Sequence, residues 1–115
     1  GRVQPCGLIS IHVNWHQDPW RQGAIVYYQT GEAQGRVLAE YIQKELNLIQ
    51  PVQRQVRAGD FYVLRNTAAP AVLVEMGFIS NAEDRRMMQD GAYLLSQAEA
   101  ISMGLEAFLR HNQNL

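Results

Sequence analysis

Cysteine is almost missing from this chain. Cys6 is the only one among 115 residues, so no internal disulfide can form and no cysteine cluster can hold a structural zinc. That scarcity leaves the compartment open, because cytosolic proteins and disulfide-free secreted proteins are equally poor in cysteine. Charge is also sparse. A net charge of −1, with 18 % charged residues and no basic run, excludes the electrostatic footprint of a nucleic-acid or anionic-membrane binder. No apolar run approaches the ~20 residues of a membrane span, and no signal peptide is visible. The chain opens at Gly1-Arg2-Val3 without an initiator methionine, which reads as a cut. Neither a Gly-x-Ser-x-Gly elbow nor a glycine-rich phosphate loop occurs, so serine triads and nucleotide enzymes drop out.

What is present suits one globular domain with one modest core: 47 % of the residues are apolar. The chain is organised around residues 71–81, AVLVEMGFISN. Ala71 to Val74 is a short apolar run of the kind that forms a strand buried on both faces. It ends in a carboxylate, Glu75, followed by Gly77, where a sharp turn is expected to hold Glu75 at the mouth of the sheet. Ser80-Asn81-Ala82-Glu83 reads as a capping box with Ser80 at the cap and Glu83 reaching back. Taken alone, Glu75 is better explained by a solvated strand-end acid or an arginine partner.

Earlier in the chain, Gln4 to Gly7 reads as a loop and Leu8 to Asn14 as a strand, with Cys6 a small residue before it. Ser10, His12 and Asn14 alternate along that strand and so share one face. If this strand and the 71–74 strand are parallel neighbours, His12 and Glu75 reach one crevice. An imidazole beside a carboxylate suits a metal site or an acid–base pair, although a lone strand histidine is more often a core residue. His16 has helical spacing from His12, but Val13 stands where a helical zinc motif carries its glutamate, and the segment reads as strand. His111 belongs to the polar chain end.

The other elements expected are a strand over Ala24–Tyr28, a helix from Thr30 to about Leu48, a loop or irregular edge over Val52–Gly59 and a strand over Asp60–Arg65. The final helix runs over Asp90–His111 with Leu94, Ala98, Ile101, Leu105 and Phe108 on its buried face. Met87, Met88 and Met103 read as core filler. Alternating strands and helices predict an α/β fold, an open twisted, largely parallel sheet flanked by helices.

Three segments in order, Ser10-Ile11-His12-Val13-Asn14, DFYVLR at 60–65 and PAVLVEMGFISN at 70–81, resemble the second half of the zinc-dependent N-acetylmuramoyl-L-alanine amidases. The likeness is greatest to the single-domain cell-wall amidases of sporulation and germination, and it covers nearly the whole chain. It implies hydrolysis of the amide between muramic acid and L-alanine in peptidoglycan, outside the cytoplasm in the cell wall or spore envelope. It implies that His12 is a Zn ligand, that Glu75 is the catalytic acid–base, and that Arg65 is a substrate contact or a structural partner. Trp15, Asp18, Trp20 and Arg21 would line the substrate groove, unless the tryptophans are ordinary packing. Val13 and Trp15 replace residues that are usually small. The other histidine and the glutamate of the ligand set have no counterpart, so residues 1–115 read as a partial catalytic domain lacking its N-terminal part. Such a piece is expected to be inactive and to self-associate through an exposed sheet edge. A non-catalytic wall- or partner-binding module and a related zinc peptidase remain as alternatives.

Overall fold

The computed structural model describes residues 6–113. The reading of Gly1–Val3 and half of the Gln4–Gly7 loop lie outside those residues. Cys6 is exposed. Strands β1 (Leu8–Asn14), β2 (Ile25–Gln29), β3 (Arg57–Gly59) and β4 (Ala71–Phe78) form one sheet in the order β1-β4-β2-β3. Helices α1 (Ala33–Asn47), α2 (Tyr62–Arg65), α3 (Ala82–Met88) and α4 (Gly91–Gln113) complete the chain. β1 runs parallel to β4 and β3 parallel to β2, while β2 is antiparallel to β4. The expected α/β architecture therefore stands, with one antiparallel pairing inside a mostly parallel sheet.

β4 is buried along its whole length, as a strand with neighbours on both sides and helices over it should be. Alternation divides its side chains. Val72, Val74 and Met76 join Val26 and Ile9 on the face covered by α1 and α4, where Leu38, Ile42, Leu46, Ile101 and Phe108 make the main core. Ala71, Leu73 and Glu75 point the other way, where Leu64 of α2 packs with Tyr27 and Phe61 over the first two. Gly104 brings the two large helices together: a Cβ there would lie 2.6 Å from Ile42 Cα.

Several expectations are corrected. β4 does not turn at Gly77 but runs on to Phe78, with a bulge where three of its residues span two of β1 (His12↔Glu75, then Asn14↔Phe78). Gly77 serves close approach, since a Cβ would meet Met88 Sδ at 3.0 Å and Asp84 Oδ2 at 3.2 Å. The cap of α3 is Asn81, not Ser80: Asn81 Oδ1 accepts from Asp84 N at 2.9 Å, while Ser80 Oγ accepts from His16 N. Glu83 does not reach back but pairs with Arg86. The predicted strand over Asp60–Arg65 is instead one helical turn, α2. Phe61 and Leu64, three apart, bury together in that turn while Tyr62 and Val63 face solvent. The strand in this region is β3, a short edge strand within the segment expected to be a loop or irregular edge. On α4 the buried face is Gln97, Ala100, Ile101, Gly104 and Phe108, so Leu94 and Ala98 are exposed, as is Met103. Gln97 fixes that rotation by donating to Met76 O at 2.8 Å.

Candidate active site

The parallel register sets His12 opposite Glu75 and Ser10 opposite Leu73, so the polar residues of β1 and the acid of β4 project from one face. His12 Nε2 lies 2.8 Å from Ser10 Oγ, which orients the ring along its own strand. Glu75 is only 7 % exposed. Its Oε1 accepts a long bond, 3.4 Å, from Asn14 Nδ2, and its Oε2 is buried without a partner. Burial pushes the Glu75 carboxyl up from its ordinary range, and the nearby His12 pulls it back in part. A carboxyl raised in this way holds and releases a proton closer to neutrality than a solvated one.

The loop after β1 stands over this end of the sheet and is pinned to it. His16 N donates to Ser80 Oγ at 2.9 Å, Asn81 Nδ2 to Pro19 O at 2.9 Å, and Gly23 N to Asp84 Oδ2 at 2.9 Å. Asn14 Oδ1 accepts from Trp15 N, which ties the loop to the strand that carries His12. The loop presents Trp15 to solvent and leaves Trp20 85 % exposed. Trp20 borders a cleft of about 410 Å³ with Pro19, Gln22, Ser80, Asn81 and Arg85. A separate cleft of about 330 Å³ lies at the amino end of β4, among Gln29, Gly35 and Thr67 to Ala71, and contains none of the polar residues just described.

The structure thus brings His12 and Glu75 together and leaves the other candidates apart. His16 stays out of the pair: its Nδ1 accepts from Asp18 N, and its ring meets the edge of Phe78. Arg65 sits on α2, which follows the β3 end of the sheet, and is held by Asp60 through two bonds of 2.7 and 2.8 Å. Asn14 had stood in the sequence only as a polar face-mate of His12; its hydrogen bond to the acid adds it to the site. Among the described residues, no group of three His, Cys, Asp or Glu side chains could hold a metal ion. His12 and Glu75 do not make a zinc centre by themselves, since catalytic zinc takes three protein ligands.

A buried acid in register with a strand-borne imidazole, on an open α/β sheet, is the type of arrangement that hydrolytic enzymes use for proton transfer. The chain belongs to the N-acetylmuramoyl-L-alanine amidase family, whose model matches residues 2–107. It is 34 % identical over 106 residues to the N-acetylmuramoyl-L-alanine amidase LytC of Bacillus subtilis, covering 90 % of this chain and 21 % of LytC. It is 31 % identical over 99 residues to the germination-specific N-acetylmuramoyl-L-alanine amidase of the same organism, covering 84 % and 42 %. Among solved structures it resembles the CwlD amidase of Clostridioides difficile, determined in complex with the GerS lipoprotein. The TM-score is 0.87 at 30 % identity, over 91 % of this chain and 55 % of that one. The chain therefore spans about half of CwlD and less of the two curated amidases.

Proposed function

We propose that residues 1–115 are the carboxyl-terminal part of the catalytic domain of a peptidoglycan hydrolase acting outside the cytoplasm. It would cleave the amide between N-acetylmuramic acid and the L-alanine of the stem peptide. The observation that carries this reading is Glu75, an acid buried in the central strand with one oxygen unpartnered, directly across from His12. Glu75 takes a proton from the attacking water and passes it to the amine that leaves. The water oxygen bonds to the lactyl carbonyl carbon as the C–N bond breaks. Asn14 holds the other carboxyl oxygen, and burial raises the proton affinity of Glu75 while the nearby His12 lowers it. His12 would serve as one zinc ligand, with the remaining donors supplied from outside the described residues. A zinc ion so held would supply an acidified water and polarise the carbonyl. Arg65 is a substrate contact or a structural partner, and its two bonds to Asp60 favour the second role.

The test is digestion of purified peptidoglycan by the full-length protein. New L-alanine amino termini without new reducing sugars are the expected products. Binding to the wall without any cleavage would instead identify a non-catalytic module. Cleavage between amino acids would identify a peptidase.

A further inference from the structure

His12 and Glu75 are register partners, yet neither takes the other as a hydrogen-bond partner. Glu75 turns to Asn14, with its second oxygen unpartnered, and His12 turns back along its own strand to Ser10. The 2.8 Å between Ser10 Oγ and His12 Nε2 is the length of a well-made bond. Alternation produces it, because residues two apart on a strand project from the same face. Across the strand pair Ser10 faces Leu73, whose side chain offers it nothing polar. His12 lies in the exposed half of β1, where core packing does not fix its ring. The bond to Ser10 is what selects one orientation.

That orientation decides which nitrogen is offered to the site. The two imidazole nitrogens diverge, so with Nε2 toward Ser10, Nδ1 faces the end of β1 that carries Asn14. A neutral imidazole has one N–H and one lone pair. If the Ser10 hydroxyl donates to Nε2, the ring proton sits on Nδ1 and no lone pair remains for a metal. If Ser10 accepts from Nε2–H, the lone pair is on Nδ1. We propose that Ser10 is a positioning residue for His12, its oxygen accepting from Nε2–H so that Nδ1 is presented as the metal-binding nitrogen. That the ion held there is zinc rests on the hydrolase reading above. A hydrogen bond on the far nitrogen of a ligating histidine fixes both tautomer and ring plane, and losing it typically costs about 10- to 100-fold in metal affinity. Ser10 acts through His12 and is not itself a ligand.

The test is the zinc affinity of the full-length protein, measured by competition with a chromophoric chelator. Ser10→Ala should bind zinc about 10- to 100-fold more weakly than the parent. Ser10→Thr keeps the hydroxyl on a strand-favouring residue and should retain most of the parent affinity. Long-range proton–nitrogen correlation NMR of the zinc-loaded parent gives a readout that does not depend on how the variants fold. It should show zinc on His12 Nδ1 and a slowly exchanging proton on Nε2. In Ser10→Ala that proton should exchange faster. Zinc on Nε2, or parent affinity in Ser10→Ala, would overturn the assignment. Parent affinity in Ser10→Ala together with release of L-alanine termini from peptidoglycan would do so while leaving the hydrolase reading intact. The expected affinities and NMR pattern without such release would sink the hydrolase reading and leave Ser10 in its role.

Discussion

Glu75 sits where a carboxylate is least comfortable, in the central strand, with Oε2 shut away from any partner. Such a group weakens the fold so that a proton can move, so its removal should separate stability from activity. In the full-length protein, Glu75→Gln is expected to lose about a hundredfold or more in turnover, the usual scale for positioned proton transfer. The same change should leave the thermal midpoint unchanged or raised, because a neutral amide avoids burying a charge. Near-normal turnover would remove Glu75 from the mechanism. His12→Ala should strip zinc from the full-length protein, and His16→Ala should not, since His16 is bound up with Ser80, Asp18 and Phe78. Metal analysis giving the reverse pattern would mean that the wrong histidine has been assigned. Asp60 supplies the pH-dependent case. The hydrogen bonds of Arg65 and then Gln29 hold its carboxyl below the ordinary value. A depressed acid stabilises the fold above its unfolded pKa and loses that contribution as pH falls through the folded one. Carboxyl titration by NMR should show Asp60 titrating low in the parent and moving up in Arg65→Met.

At the scale of elements, patterning located the buried strand, the long helices and the His12 strand, because an apolar run and helical periodicity survive any detail of pairing. It failed where packing chose between equally good local options. Phe61-Tyr62-Val63-Leu64 has a strand's composition, but only one helical turn brings Phe61 and Leu64 together over Ala71, Leu73 and Tyr27. Ser80 and Asn81 are both good caps, and the choice fell to Asn81 because its amide also reaches Pro19 O. On the site, the alternation of Ser10, His12 and Asn14 was legible. The bond from Asn14 to Glu75 was not, since it depends on the bulge that sets Asn14 opposite Phe78. Two buried glutamines carry the β2 edge of α1. Gln43 Oε1 accepts from Val26 N at 2.8 Å while its Nε2 donates to Ala24 O at 3.0 Å, and Gln50 makes a matching pair with Ala24. Gln43→Leu would leave the Val26 amide buried without a partner, at a cost of about 1–3 kcal/mol. Denaturant unfolding that finds no loss would mean the strand end reaches water without it.

For the molecule as a whole, the exposed flank is β1. It pairs only with β4 among the described residues, and Ile11 and Val13 on its core-side face are 58 % and 56 % exposed. An edge strand offers a row of free backbone donors and acceptors, and apolar side chains beside that row favour pairing with another chain. Solved relatives such as CwlD are nearly twice as long as the stretch matched here. Residues 1–115 taken alone should therefore self-associate through β1 or unfold at modest temperature. They should also bind zinc weakly, with His12 and Glu75 short of the three ligands a catalytic site needs. Light scattering tests the first expectation, with Val13→Lys expected to shift the population toward monomer by placing a charge on the edge. Calorimetric titration with zinc tests the second. A stable monomer that takes up one zinc tightly and releases L-alanine termini from peptidoglycan would show that these residues carry a complete site.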